Sequence, residues 1–113
     1  MYTYKCRILK VIDGDTVDAE VDLGFRVKMQ MRFRLAGIDA PEMDTPIGKI
    51  ARQQLITWMS DSFGSLQLNE LTVRTEKDKQ EKYGRYLGTF FDASGMSINQ
   101  RMIDGGYAKE WKQ

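Results

Sequence analysis

Two runs of alternating apolar and polar residues, separated by one short glycine-containing turn, most constrain how this chain can fold. The runs span residues 17–23 and 27–35. Because successive strand side chains point to opposite faces, each run predicts a strand with one buried face. A less regular run at residues 3–12 predicts an earlier strand, and the Asp-Gly-Asp-Thr segment at 13–16 is a strong hairpin signal. The first third of the chain is therefore predicted to be a three-stranded meander.

The two faces of the third predicted strand differ in chemistry. Its apolar residues are predicted to point inward, and they are Val27, Met29, Met31, Phe33 and Leu35. Its polar residues are predicted to point outward, and they are Lys28, Gln30, Arg32 and Arg34. The outward face of the second strand is acidic, so the two strands can form opposite-charge pairs across the ladder. Such pairing is the preferred interpretation of Lys28 and Arg32.

Two amphipathic helices are predicted beside the strands. Thr45 and Pro46 are typical cap and first-turn residues, and Gly64 is placed to end the helix that they start. The predicted buried face of this helix comprises Ala51, Leu55, Trp58, Met59 and Ser62. Ser97 and Gln100 have the spacing of a capping box, which predicts a second, short helix that ends at a Gly-Gly pair.

Two further strands complete the predicted fold, at residues 71–75 and 86–92, with the charged run at 76–82 interpreted as a solvated loop. Five strands with a helix after the third indicate a mainly β protein, a five-stranded OB-fold barrel with two helices. An SH3-like barrel is the alternative, but it does not normally carry an amphipathic helix there. With 113 residues, the chain is predicted to form a single domain over residues 1–113.

The composition excludes several kinds of chemistry. The chain has no histidine, one cysteine and a net charge of +1. Histidine-dependent triads, Cys-His pairs and HExxH zinc sites are therefore excluded, and Cys6 is predicted to be a buried strand residue. A signal-peptide start and a membrane-length apolar run are both lacking, so the chain as written is expected to be soluble and cytoplasmic. It is also expected to be a monomer.

Two carboxylates are predicted to meet at one end of the meander. Asp15 lies in the first hairpin turn and Asp39 follows the third strand, and these two points lie at the same end of a meander. Oxygen ligands without histidine or cysteine select Ca²⁺ or Mg²⁺, although Asp15 taken alone is better explained as a turn residue. Glu42, close to this end, is predicted to be a general base.

Two arginines are candidates for binding a phosphate. The planar guanidinium groups of Arg34 and Arg85 match phosphate oxygens in a bidentate manner and carry a fixed charge that suits a negatively charged transition state. Either arginine alone is explained equally well as a surface ion pair. Together with the carboxylates, they predict phosphate chemistry that depends on a hard metal ion.

Three spaced motifs carry a resemblance to a known family. They are VIDGDTV at residues 11–17, FRLAGIDAPE at 33–42 and EKYGRYLGTFF at 81–91. In this order they resemble the staphylococcal nuclease (thermonuclease) family over nearly the whole chain. The resemblance implies an OB-fold enzyme that hydrolyses DNA and RNA phosphodiesters with Ca²⁺ and leaves 3′-phosphate ends.

The resemblance also implies roles for individual residues. Ca²⁺ ligands are implied at Asp15, at Asp39 and at the backbone carbonyl of Ala40, where many relatives have threonine. The catalytic residues implied are Glu42 and the phosphate-binding pair Arg34 and Arg85. The nucleotide phosphate is implied to contact Lys82 and Tyr83.

Some features of the family are missing from these 113 residues. The third, C-terminal helix is missing, and the nucleotide-stacking tyrosines have no clear match, although Trp111 could replace them if it does not simply pack as tail. The near-neutral net charge predicts a preference for single-stranded or flexible nucleic acid. Two other functions stay open, a non-catalytic OB-fold module that binds nucleic acid or protein, and a structural accessory domain with a charged rim.

Overall fold

The structure, a computed structural model, describes residues 2–61, 71–80 and 84–111. The first half of the chain contains β1 (Tyr2–Asp13), β2 (Thr16–Asp22), β3 (Lys28–Leu35), β4 (Ile38–Asp39) and α1 (Pro46–Asp61). The second half contains β5 (Thr72–Gln80), β6 (Tyr86–Phe91), α2 (Ile98–Asp104) and β7 (Lys109–Glu110). Within the described part of the chain, neither helix is long and apolar enough to cross a membrane.

The five longer strands close into a barrel in the order β1-β2-β3-β6-β5. Strands β1 to β3 form the predicted antiparallel meander, in which Thr16 lies opposite Arg34. Strand β6 closes the barrel by pairing in parallel with the end of β3, where Phe33 lies opposite Tyr86. The predicted mainly β fold, a five-stranded OB-type barrel with two helices, is therefore confirmed.

The inside of the barrel is an apolar core centred on two phenylalanines. Phe33 and Phe90 are fully buried and meet edge to face, with ring centroids 5.5 Å apart. Cys6 is buried in the same core, and burial raises the pKa of its thiol to about 12. The thiol is therefore protonated and unreactive, as expected of the predicted buried strand residue.

Helix α1 begins and packs as predicted. The Thr45 hydroxyl oxygen accepts a hydrogen bond from the Gly48 N–H at 3.1 Å, which is an N-cap. The predicted buried face is confirmed at three fully buried positions, Ala51, Leu55 and Met59. Trp58 is half-buried at the edge of this face, whereas Ser62 and Gly64 lie outside the described residues.

The prediction of an inward face along the whole of β3 is wrong for its first half. Val27 and Met29 are about half exposed, because β6 pairs only with the last residues of β3 and the early part extends beyond the barrel. The predicted charge pairing is confirmed at Arg32, whose Nε lies 2.7 Å from the Asp18 carboxylate. Lys28 lies opposite Asp22 in the ladder.

One further expectation needs correction, and one pair of strands was not predicted. The charged run at 76–82 was predicted to be a loop, but β5 continues to Gln80, which lies opposite Tyr86. A charged sequence can still form a strand when its backbone pairs with a neighbour, here β6. The short strands β4 and β7 pair with each other and were not predicted, because two residues carry no alternation.

Candidate active site

The centre of the site is Arg34, at the end of β3, which was predicted to point outward. Its side chain lies outside the barrel core as predicted, yet the residue is only 8% exposed. The second terminal nitrogen donates a hydrogen bond to the Ile38 carbonyl at 2.9 Å and lies 3.5 Å from the Asp39 carboxylate. The other terminal nitrogen lies 3.6 Å from the Asp15 carboxylate. One guanidinium therefore brings the two predicted metal-ligand carboxylates together.

Asp15 is held by the tight turn between β1 and β2. Its own N–H donates to the Asp13 carboxylate at 3.0 Å, and its carboxylate accepts from the Ala40 N–H at 2.9 Å and from the Thr16 hydroxyl at 3.1 Å. Gly14 allows this close approach, because a Cβ at that position would lie 2.7 Å from the Ala40 Cβ. The turn is thereby fixed against the segment that carries Asp39.

Burial outweighs the nearby positive charge of Arg34 at Asp15. The pKa of this carboxyl is raised to about 6, first by burial and then by the hydrogen bond with Asp13 and the Asp13 charge. The Ala40 N–H and the Arg34 guanidinium act in the opposite direction without offsetting the rise. A nearby cation stabilises the charged form of such a buried carboxyl.

Asp39 lies on β4, which is held from the far end of the chain. The β4–β7 pair places Lys109 opposite Asp39, and the Asp39 side chain remains 45% exposed. Just after β7, the Trp111 N–H donates to the Gly37 carbonyl at 2.8 Å. The Trp111 ring then covers Arg34, with the guanidinium carbon 4.2 Å from the ring centroid. Trp111 therefore contacts Arg34, whereas the sequence predicted only base stacking or tail packing for this residue.

The Nε atom of Arg34 adds a detail to this environment. It is buried and has no hydrogen-bond partner among the described residues. The face of Trp111 offsets part of the cost of burying this cation, because an aromatic face attracts a guanidinium. The arginine is thus held by one carbonyl, two carboxylates and one ring.

Glu42 lies in the turn that leads into α1. Glu42 is exposed to solvent. Its backbone carbonyl accepts hydrogen bonds from the Thr45 N–H at 3.1 Å and from the Thr45 hydroxyl at 2.6 Å. Gly48 packs against the same carbonyl so closely that a Cβ there would overlap the oxygen. Glu42 and Asp39 line one open groove of about 450 Å³, together with Pro41, Tyr107 and Lys109.

Arg85 approaches Asp15 from the start of β6, the strand that pairs with the end of β3. It is half-buried just before β6, and its terminal nitrogen lies 3.5 Å from the Thr16 hydroxyl, which itself donates to Asp15. Thr16 thus connects Arg85 to the carboxylate side of the site. The other two predicted substrate contacts, Lys82 and Tyr83, lie outside the described residues.

The oxygen atoms of the site suit a hard cation, but they do not provide all of its ligands. Among residues 2–61, 71–80 and 84–111, no three carboxylate or thiol side chains come together as a metal site. Asp15 and Asp39 offer two carboxylates beside the backbone of Ala40, and Ca²⁺ or Mg²⁺ completes such a set with water and phosphate oxygens. The residues present therefore fit the ion that the sequence predicts.

Comparison with known proteins gives a consistent result. A family model described as staphylococcal nuclease homologue matches residues 32–113. An Escherichia coli O157:H7 protein named uncharacterized endonuclease is 32% identical over 107 residues, which are 95% of this chain and 61% of that protein. The micrococcal nuclease of Shigella flexneri is 33% identical over 88 residues, 78% of this chain and 42% of that protein. This chain therefore spans less than two thirds of the length of either relative.

Proposed function

Because this chain belongs to the staphylococcal nuclease family, we propose that it hydrolyses the phosphodiester bonds of DNA and RNA in a Ca²⁺-dependent reaction that leaves 3′-phosphate ends. One observation carries the proposal. A single buried guanidinium, that of Arg34, contacts both Asp15 and Asp39, and Glu42 follows Asp39 within one turn. Asp39 and Glu42 line the open groove, so a phosphate bound there would lie beside the carboxylate that Arg34 contacts.

The residues divide the chemistry among them. Glu42 takes a proton from a water molecule, whose oxygen attacks phosphorus, and the bond from phosphorus to the 5′ oxygen breaks. Arg34 and Arg85 donate hydrogen bonds to the phosphate oxygens on which negative charge accumulates. The phosphate stays on the 3′ oxygen, and the released 5′ oxygen takes up a proton from solvent.

The cation would be held by Asp15, Asp39 and the Ala40 carbonyl. When bound, it supplies Lewis-acid polarisation of the phosphate and positive charge beside the attacking water. Arg34 has a second task in this arrangement. In the absence of an ion it provides the positive charge nearest to both carboxylates, at 3.5 and 3.6 Å.

We expect single-stranded or flexible nucleic acid to be the preferred substrate, and the enzyme to act as a monomer. The net charge of +1 gives weak general attraction for a duplex, whose binding depends mainly on phosphate contacts. Single strands add base stacking, which does not need a large net charge. The role of Lys82 and Tyr83 as phosphate contacts belongs to this proposal.

The decisive experiment compares the parent chain with Glu42→Gln on single-stranded DNA, with Ca²⁺ or with EDTA. The parent with Ca²⁺ should cleave faster than the variant by on the order of 10²–10⁴-fold, the usual contribution of a positioned base. Glu20→Gln is a matched control, because Glu20 pairs with Arg7 on the strand face. Cleavage by the parent that is no faster than cleavage by the Glu42 variant or in EDTA would contradict the proposal, and no cleavage at all would favour a non-catalytic binding module. End-group analysis of the products tests the 3′-phosphate.

A further inference from the structure

The hairpin between β2 and β3 ends in a loop that holds an aromatic side chain entirely in solvent. Phe25 is 100% exposed at its tip. It lies in the left-handed region with φ of 53°, between Gly24 at 83° and Arg26 at 63°. Residues other than glycine rarely adopt this conformation, and for bulky residues it is a genuine outlier. The hairpin turn enforces it, because two-residue hairpin turns favour positive φ at both central residues, here Phe25 and Arg26.

The loop is ordered by its own hydrogen bonds. The Leu23 N–H donates to the Val27 carbonyl at 2.8 Å, and the Val27 N–H donates to the Gly24 carbonyl at 2.8 Å. The Asp22 carboxylate accepts from the Gly24 N–H at 2.9 Å. These bonds fix the backbone, so Phe25 is presented at a defined position.

The chemistry around Phe25 is aromatic, apolar and basic. Leu23, Val27 and Met29 are each substantially exposed beside it. Arg26 follows Phe25 directly, and Lys28, two residues further on, lies opposite Asp22 in the ladder. An exposed aromatic ring next to a cation is a combination that binds single-stranded nucleic acid, with the ring stacking on a base and the cation contacting a phosphate.

We propose that this hairpin tip is a second nucleic-acid contact, at which Phe25 stacks on a base of the substrate and Arg26 contacts an adjacent phosphate. The inference rests on the proposed function. The tip and the site share strand β3, because Lys28 lies opposite Asp22 near the tip and Arg34 lies opposite Thr16 at the site. Six residues of strand separate them, which is about 20 Å. A long single strand can therefore span both, whereas a dinucleotide cannot.

Other occupants fit this surface less well. A stable interface with a second copy buries about 800 Å² on each partner, which exceeds what four side chains at the end of a two-stranded hairpin present. Binding to anionic lipid is typical of clusters of about four to eight cations, and residues 23–31 contain two. A polyanion that also stacks matches both the ring and the charges.

The test uses Phe25→Gly, with Phe25→Tyr as the conservative variant and Met96→Ser as a control at another exposed apolar residue. Glycine relieves the left-handed strain, so the unfolding temperature should equal or exceed that of the parent. Binding of a long single-stranded oligonucleotide, measured in the Glu42→Gln background, should weaken about tenfold in Phe25→Gly, the loss expected for one stacked base. Phe25→Tyr and Met96→Ser should bind like the parent.

Cleavage separates this inference from the proposed function. Phe25→Gly should lose about tenfold in kcat/KM on the long substrate and nothing on a dinucleotide. Unchanged binding and cleavage of the long substrate would refute the hairpin contact while leaving the nuclease proposal intact. If the parent cleaves nothing, the proposed function fails, and the binding measurement still decides the hairpin. Loss of vesicle binding or of dimerisation in Phe25→Gly, with nucleic-acid binding unchanged, would assign the tip to a different partner.

Discussion

Gly48 is the residue at which helix α1 and the Glu42 turn approach most closely. A Cβ at this position would overlap the carbonyl oxygen of Glu42, a backbone atom that cannot move without displacing the turn. Replacing glycine by alanine within a helix normally stabilises by about 0.5–1 kcal/mol. Here we expect Gly48→Ala to lower both the unfolding temperature and kcat, because the proposed base must shift.

The control for Gly48→Ala is Gln53→Ala, an exposed position on the same helix. Thermal unfolding and cleavage rates of the two variants are compared with those of the parent. Gln53→Ala should leave both unchanged. A Gly48→Ala variant as active as the parent would show that the position of Glu42 tolerates a shift of its turn.

We also expect substitutions of Trp111 to change activity, since its ring covers the Arg34 guanidinium at 4.2 Å. Such a contact contributes about 0.5–2 kcal/mol, depending on how far it is shielded from water, and Trp111 is about half exposed. Trp111→Leu keeps apolar cover but loses the aromatic face, so kcat/KM on a dinucleotide should fall several-fold. Trp111→Phe keeps a face and should retain most of the activity. Equal rates for the leucine and phenylalanine variants would mean that the ring acts only as cover.

At the scale of elements, the alternation of apolar and polar residues predicts where strands form, but not which other segments cover their side chains. It predicts β2 and β3, but whether Met29 is covered depends on where β6 joins β3, and that is a contact between distant parts of the chain. The same limit applies to Arg34, whose burial is completed by Trp111 from beyond β7. Strand period contains no information about either partner.

The connection between β6 and α2 gives a prediction at the same scale. The Asp92 carboxylate is partly buried, which raises its pKa, but hydrogen bonds from Ser94 and Met96 and the charge of Arg101 lower it more, so the pKa of Asp92 lies below its usual value. A carboxyl with a depressed pKa contributes stability that is present above its unfolded pKa, near about pH 4, and is lost as pH falls through the folded value. Asp92→Asn should therefore unfold more easily than the parent at neutral pH.

The pH dependence distinguishes this cause from a general defect. The difference between Asp92→Asn and the parent, roughly 1 kcal/mol at pH 7 for lost hydrogen bonds, should shrink as pH falls below about 4. Denaturant unfolding at several pH values measures it. Asp104→Asn, an exposed carboxylate on α2, is the control. A difference that stays constant with pH would exclude the carboxylate charge as its source.

At the scale of the whole molecule, the barrel explains why a site spread along the sequence could be predicted. Asp15 lies in the turn just before β2, and Asp39 lies one turn after β3. Because β2 and β3 pair, a meander alone brings the two residues together. Arg85 required the closure of the barrel through β6. The groove beside Glu42 could not be predicted, because its far wall comes from Tyr107 and Lys109 near the end of the described chain. Local pattern thus predicts the acidic half of the site, and long-range closure supplies the rest.

Cation binding should stabilise the whole fold, since Asp15 and Asp39 belong to segments that meet only in the folded chain. A ligand that binds only the native state adds about 2.7 kcal/mol at one hundred times its dissociation constant. Thermal unfolding with Ca²⁺ against EDTA should therefore show a higher midpoint for the parent, by about 10 °C or more for a domain of about 100 residues. Asp39→Asn should lose this shift, and Asp44→Asn, an exposed aspartate in the next turn, should keep it. A Ca²⁺ shift that survives in Asp39→Asn would place the cation elsewhere, whether or not the chain cleaves nucleic acid.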